Sequence, residues 1–403
     1  MIFIKKISKF FILLILLFIL VVFLFCIKGK NKEDFDNYYN LTIDNTNFSY
    51  YRCKNKLLGK ITQNIFDKNN ITHSNDNWNI YIPCGYNNVE EELKNILIKD
   101  NISNKYIFGL NGCDSIVSKN NIWDSLVKCY GRNHSSKLMP ESYILGDPNE
   151  IELFRKNFNP SKKDIYILKK NVQRKEGLKL TRDYFEIISG YQDEYRVAQK
   201  YITDLFLINQ RKVNLRIYLL VVIKENNISF YLSRIGKCIY TNKKYNDNDL
   251  DFESNITSYN LDMSVYKENP RHFDELRTYI DKENTKNNSK RSGTYLFNKI
   301  ELLMREISMC LSKNFFQSKN ISGSVTFQLF GADVIFDKDL NPYLLEFNKG
   351  PDMSPRDTID EEMKNTVQTD MFKKVGIIPN NEDNSFYLIY TNGLLRKSPQ
   401  NRN

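Results

Sequence analysis

The stretch from Phe327 to Asn348 constrains the fold more than any other part of the sequence. Two apolar runs flank the polar segment Asp337 to Pro342, the pattern of a β-hairpin. With the turn centred between Asp339 and Leu340, Asp333 lies across from Glu346. Asn348, two residues on, shares the face of Glu346. Three oxygen donors then converge beside an apolar sheet. Hard oxygens in this arrangement suit Mg²⁺, which takes its other ligands from water and phosphate. The alternative is a solvated hairpin face. The apolar neighbours of Glu346 in Leu-Leu-Glu-Phe-Asn argue against it, because burying an unpaired charge is costly.

With 403 residues, the chain can hold two or three lobes around a substantial core. Its formal charge of +10 favours a polyanionic partner such as nucleotide, acidic peptide or anionic lipid. There is no aromatic RNA-binding motif, zinc knuckle or basic recognition helix, so nucleic acid is not expected as a partner. The seven cysteines contain no CxxC pair, which speaks against zinc. The six outside the N-terminal run suit either disulfides in an oxidising lumen or buried free thiols. His73, His134 and His272 are far apart, and each reads as structural or exposed.

Phe10 to Ile27 is an uninterrupted apolar run of 18 residues flanked by lysines, long enough for one transmembrane helix and read as an uncleaved anchor. The flanking lysines are balanced and do not orient it. Residues 28–77 are rich in Asn, Lys and Asp and read as a polar tether. The remaining expected boundaries are an N-terminal lobe (78–150), a central lobe (151–230), a C-terminal lobe (231–378) and a polar tail (379–403). Ile165 to Lys169 reads as a short buried strand ending in a lysine. Val213, Leu215, Ile217 and Leu219 alternate with Lys212, Asn214, Arg216 and Tyr218, so one set faces the core and the other faces outward or into a cleft. Tyr295 to Phe316 has the spacing of a core-facing amphipathic helix.

These segments, in this order, resemble the tubulin-tyrosine ligase family, including its tubulin polyglutamylase members. The resemblance covers about residues 100–356 and is carried mainly by Lys212 to Val221 and Phe327 to Asn348. Leu138 to Tyr143, Tyr166 to Lys169 and Val197 to Ile202 support it. It implies an α+β, ATP-grasp fold with N-terminal, central and C-terminal lobes and nucleotide between the central and C-terminal sheets, here preceded by one transmembrane helix. It also implies a carboxylate–amine ligase using ATP and Mg²⁺. Such an enzyme adds a free amino acid, glutamate by default, to a carboxylate on an acidic protein tail, tubulin by resemblance. By the same resemblance Asp333, Glu346 and Asn348 hold the metal, and Lys169 contacts phosphate. Gln199, Lys200 and Tyr201 line the adenine pocket, Lys212 and Asn214 bind nucleotide, and Arg216 acts near the phosphates or the acceptor carboxylate. Gly177 ends the phosphate-covering loop, and Lys169, Arg216 and Glu346 are the catalytic candidates.

The sequence departs from the family pattern at four places. Asn214 stands where Asp is usual and Ile239 where Arg is usual, with Arg234 and Lys237 as candidate substitutes. Ser258 stands where Asn is usual, and Lys175 where Gly is common. The metal-site pattern is intact and the acceptor side is altered. Two alternatives follow: a catalytically impaired nucleotide- or peptide-binding module, and a ligase with a non-tubulin acceptor. Nine Asn-x-Ser/Thr sequons suit a lumenal body. Cytosolic ATP and tubulin suit a cytosolic one, and the balance of the sequence leans to the cytosol.

Overall fold

The structure is a computed structural model. It describes residues 48–393 apart from 54–55, 98–103, 173–176, 258–260, 287–290, 318–320, 322 and 381–382. The apolar run Phe10 to Ile27, Lys175 and Ser258 lie outside the described residues. Among the described residues, no helix is long and apolar enough to cross a membrane.

The fold is mixed α/β, built on two sheets. Nine strands form the larger one: β1 (Ser49–Tyr51), β2 (Thr72–His73), β3 (Ile80–Tyr81), β4 (Tyr106–Phe108), β9 (Val213–Lys224), β10 (Asn227–Tyr240), β11 (Val325–Phe336), β12 (Pro342–Asn348) and β13 (Phe386–Thr391). The smaller sheet has the order β5-β8-β6-β7, from Ser142–Ile144, Val197–Lys200, Tyr166–Lys169 and Leu178–Thr181. β11 is the organising strand. It runs antiparallel to β9 over its length, pairs β4 at its first residues and β12 at its last.

Alternation on β9 decides what the large sheet covers. Val213, Leu215, Ile217 and Leu219 pack into the main core with the helix Gly293–Leu311, whose Leu296, Ile300, Leu303, Met304 and Ile307 are buried. The opposite face begins as the cleft wall at Lys212, Asn214 and Arg216. It continues as a second core at Tyr218, Leu220 and Val222, under the helix Thr358–Val375. Tyr218 is therefore core, not cleft. The helix Gly293–Leu311 stops short of the expected Phe316, where a 3-10 turn, Ser312–Asn314, takes over.

Several expected boundaries do not match the sheets. Residues 48–77 are not a tether: β1 pairs with β2 and β3, and Ile61, Ile65 and Phe66 of the helix Lys60–Lys68 are buried in the second core. Three apolar residues spaced on one helix face suffice to dock a segment whose average composition is polar. A lobe boundary at 230 would cut the β9–β10 hairpin, which is continuous within one sheet. The chain instead changes sheets between β8 and β9. β3 and β4 share the large sheet with β10 to β12, so the expected N-terminal and C-terminal lobes are not separate sheets. The expected tail contributes β13, which pairs with β10 and buries Phe386.

Candidate active site

A cleft of about 480 Å³ opens between the two sheets. Across its floor runs one lateral row, one residue per strand: Lys237 of β10, Arg216 of β9, Asp333 of β11 and Glu346 of β12. Each is the register partner of the next. Asn348 pairs with Gly331 one step along and lines the same cleft. The hairpin register expected from the sequence is therefore present, but a β-bulge produces it. Phe336 pairs Pro342 and Val334 pairs Leu344, so the turn folds about Asp339. The extra residue, Leu345, then shifts the register so that Asp333 meets Glu346. Without the bulge Glu346 would share the core face of Leu344. With it, Glu346 and Asn348 face the cleft and Leu344 and Phe347 the core.

Arg216 grips Asp333 in a fork, Nε to Oδ1 at 2.6 Å and Nη2 to Oδ2 at 3.1 Å. Burial pushes the Asp333 carboxyl up and works against the guanidinium. The charge of each favours the charge of the other, and Arg216 ends above its ordinary value. Two direct, charge-assisted hydrogen bonds offset part of the burial cost of this pair. Arg216 lines the cleft while its guanidinium is engaged with the acidic cluster on the floor.

Lys169 ends β6 on the opposite sheet, as expected. Its buried Nζ points at the hairpin and donates to the carbonyl of the bulged Leu345 at 3.5 Å. Burial lowers it to about 8, against the pull of Glu346. Lys212 is equally buried, over the Tyr201 ring, with Nζ 3.0 Å from Tyr201 Oη and 2.9 Å from the Asn255 carbonyl. Burial lowers it to about 7, helped by the charge of Lys169. Gln199 donates to Ser142 Oγ at 3.0 Å, Lys200 pairs with Asp164 at 2.8 Å, and both line the cleft. Asn214 donates to Thr257 Oγ1 at 2.9 Å, leaving its buried Oδ1 without a partner. Gly177 is not on the cleft wall; its carbonyl accepts from the Lys170 amide at 2.8 Å.

Of the candidates to replace the arginine missing at Ile239, Lys237 is in the cleft, bonded to Asp360 at 3.1 Å. Arg234 is not; it stacks over Tyr387 and donates to the Asn384 carbonyl. Lys119 is the residue the sequence reading missed. It opens the helix Lys119–Tyr130, donates to the Val172 carbonyl at 2.8 Å and reaches Glu346 at 3.8 Å. No motif surrounds it in Ser-Lys-Asn-Asn; its contacts with Asn171, Val172 and Glu346 arise only in the fold.

The donor set fits a divalent cation. Asp333, Glu346 and Asn348 offer hard oxygens. Two neighbouring carboxylates repel each other, and burial already disfavours the charge on Asp333. The buried Nδ2 of Asn348 has no partner, and the Oδ1 of the same amide is the atom a cation would take. A cation here would be held by these three residues. The surrounding wall fits a polyanion: it carries eight Lys and Arg side chains against Asp333, Glu346 and Asp352.

Fold and site together define an α/β protein with a cleft between two sheets, walled largely by basic side chains and with an acidic pair at its floor. The chain belongs to the tubulin-tyrosine ligase family, whose model matches residues 100–385. It is 25% identical over 286 residues to a probable beta-tubulin polyglutamylase of Tetrahymena thermophila, covering 65% of this chain and 23% of that protein. It is 29% identical over 184 residues to the probable tubulin polyglutamylase TTLL9 of Rattus norvegicus, covering 44% and 38%. It is 25% identical over 248 residues to tubulin glycylase 3B of Drosophila melanogaster, covering 58% and 32%. The chain thus spans well under half the length of each of these relatives.

Proposed function

We propose that this protein is an ATP- and Mg²⁺-dependent carboxylate–amine ligase of ATP-grasp architecture. It joins a free amino acid to a protein carboxylate. The observation that carries this reading is the row Lys237, Arg216, Asp333 and Glu346 facing Lys169 across the cleft. A carboxylate is a poor electrophile. In this reading its oxygen takes the γ-phosphoryl group of ATP, giving an acyl phosphate and ADP. The amine then attacks the acyl carbon, phosphate leaves, and the amine gives up a proton. The barrier is mainly one of charge and alignment. A bound Mg²⁺ would neutralise phosphate charge at Asp333, Glu346 and Asn348. Lys169 and Lys119 sit where they would hold the phosphate chain, and Arg216 fixes the orientation of Asp333. Lys212, Tyr201, Gln199 and Asn214 line the same cleft, where the rest of the nucleotide would lie, with Lys212 near enough to Lys169 to feel its charge. The unpartnered Asn214 Oδ1 would there accept a ligand hydroxyl, removing the roughly 1–3 kcal/mol cost of a buried unpaired acceptor.

The acceptor named for the relatives is tubulin, and glutamate is the amino acid the polyglutamylase names imply. The basic wall suits an acidic tail. A second reading keeps the chemistry and changes the acceptor; the apolar Ile239 in the cleft wall favours it. The test is ADP release by the purified protein against a panel of amino acids and acidic acceptor peptides, tubulin tails among them. Release that needs both an amino acid and an acceptor supports a ligase. Nucleotide binding with no release under any combination would replace it with a binding module.

Lys212 gives the proposed nucleotide site a proton signature. Burial holds its folded-state value to about 7, so at pH 8.5 it is mostly neutral in the free protein. Triphosphate favours the charged forms of Lys212 and of Lys169, which burial holds to about 8, so binding should take up between one and two protons at pH 8.5 and almost none near pH 6. Calorimetry with a non-hydrolysable ATP analogue in buffers of different ionisation enthalpy reads this directly. Buffer-independent heats at pH 8.5 would remove both lysines from the nucleotide site, and an uptake well below one proton would remove Lys212.

A further inference from the structure

We infer that the body of this protein folds and works on the oxidising side of a membrane, and that its acceptor is a protein of the secretory pathway. The acceptor half of this inference rests on the ligase reading; the compartment half does not.

The six cysteines of the body divide into four that are paired and two that are free and buried. Cys129 and Cys310 join the helices Lys119–Tyr130 and Gly293–Leu311 across 181 residues, with a Cα–Cα distance of 6.0 Å. Cys53 and Cys84 join the chain just after β1 to the loop after β3, with a Cα–Cα distance of 5.4 Å. Both separations lie in the range a disulfide spans. Three of these four residues are partly exposed, and all four are paired. The two free cysteines, Cys113 and Cys238, are fully buried, and burial pushes both thiols up, which leaves them protonated and inert. No described cysteine is thus both free and exposed. Structural disulfides persist in secretory and extracellular compartments and are reduced in the cytosol. A body with a large core does not need such bonds to fold, so two of them report the compartment more than the size of the chain.

Two features of the sequence agree. The apolar run Phe10 to Ile27 precedes the whole body and is long enough to carry it across a membrane as a signal anchor. Among the described sequons, Asn70 is exposed in a left-handed turn (φ 55°), with Thr72 exposed beside it, a geometry open to N-glycosylation. Asn255, by contrast, is fully buried and bonded to the carbonyls of Asn246 and Asp251. Placed in a lumen, the cleft would meet acidic side chains or tails of secretory proteins and not those of tubulin, and ATP would have to be supplied there.

The test uses the full chain in its own membranes. Cells are lysed in excess alkylating agent, and unreduced proteolytic peptides are mapped by mass. Sealed vesicles are treated with protease, with and without detergent, and the chain is treated with an N-glycan-specific amidase. Linked Cys129–Cys310 and Cys53–Cys84 peptides, a protected body and a mobility shift are expected. Alkylation of these four cysteines at lysis, or digestion of the body in sealed vesicles, would overturn the inference. For the acceptor half, labelled glutamate and ATP are given to permeabilised vesicles and to cytosol. Label on lectin-retained lumenal proteins supports it, and label confined to tubulin overturns it. Absence of ADP release would defeat the ligase reading while leaving the disulfide and protection results standing.

Discussion

Glu346→Gln is expected to cut amino-acid-dependent ADP release by roughly 10³-fold or more, the equivalent of about 4 kcal/mol of transition-state charge stabilisation lost with a metal ligand. The fold should survive. Glu346 is partly exposed and, among the described residues, its ion pair is with Lys119 at 3.8 Å; the buried Lys169 that its charge also favours already sits at about 8 and can shed its proton when that charge is removed. A pair of that kind contributes at most about 1 kcal/mol. The melting temperature should therefore move by no more than about 1–2 °C. The measurement is a coupled ADP assay across a magnesium titration, paired with a thermal melt. ADP release at the wild-type rate would refute the metal assignment.

Asp333→Asn is the less informative change, although Asp333 sits at the centre of the row. Its carboxylate is the forked partner of a buried guanidinium. Breaking a buried pair from one side costs roughly 3–5 kcal/mol, because the remaining charge has nowhere to go. Lost activity in that variant would mix chemistry with stability. The difference between two carboxylates one strand apart follows from β9: it supplies Arg216 to Asp333 and reaches no further.

Much of this site was legible because hairpin registry and strand alternation are local rules. Lys212, Asn214 and Arg216 share a face for the same reason that Val213, Leu215 and Ile217 share the other. The bulge at Leu345 was not legible. Nothing in Leu-Leu-Glu-Phe-Asn distinguishes an extra residue from a regular strand, and the expected turn centre gave the right partners only because the true centre and the bulge compensate. Lys119 was hidden because its role comes from a loop more than fifty residues downstream. The docked helix Lys60–Lys68 was missed because composition averaged over a polar segment conceals three buried side chains. The cysteine pairing was open for a similar reason: bonds that span 181 and 31 residues are set by packing, not by spacing.

That pairing leads to the second large expected effect. The double variant Cys129→Ala, Cys310→Ala should lower the melting temperature by about 3–6 °C relative to the oxidised wild type. Closing a loop of 181 residues restricts the unfolded chain by up to about 5 kcal/mol at 25 °C in the chain-entropy account, with 2–4 kcal/mol a common yield. The second bond, closing 31 residues, falls short of this by about 1.5 kcal/mol through the logarithm of loop length. Reductant should therefore destabilise the wild type by the combined effect and the variant only by the smaller remainder. Differential scanning calorimetry of both proteins, with and without reductant, separates the two contributions. The bond ties the helix that begins at the cleft residue Lys119 to the longest core helix, so its loss should loosen the wall that carries Lys119 before the β9–β11 ladder opens. A wild type whose melt is indifferent to reductant would show that these cysteines, close as they lie, are not joined.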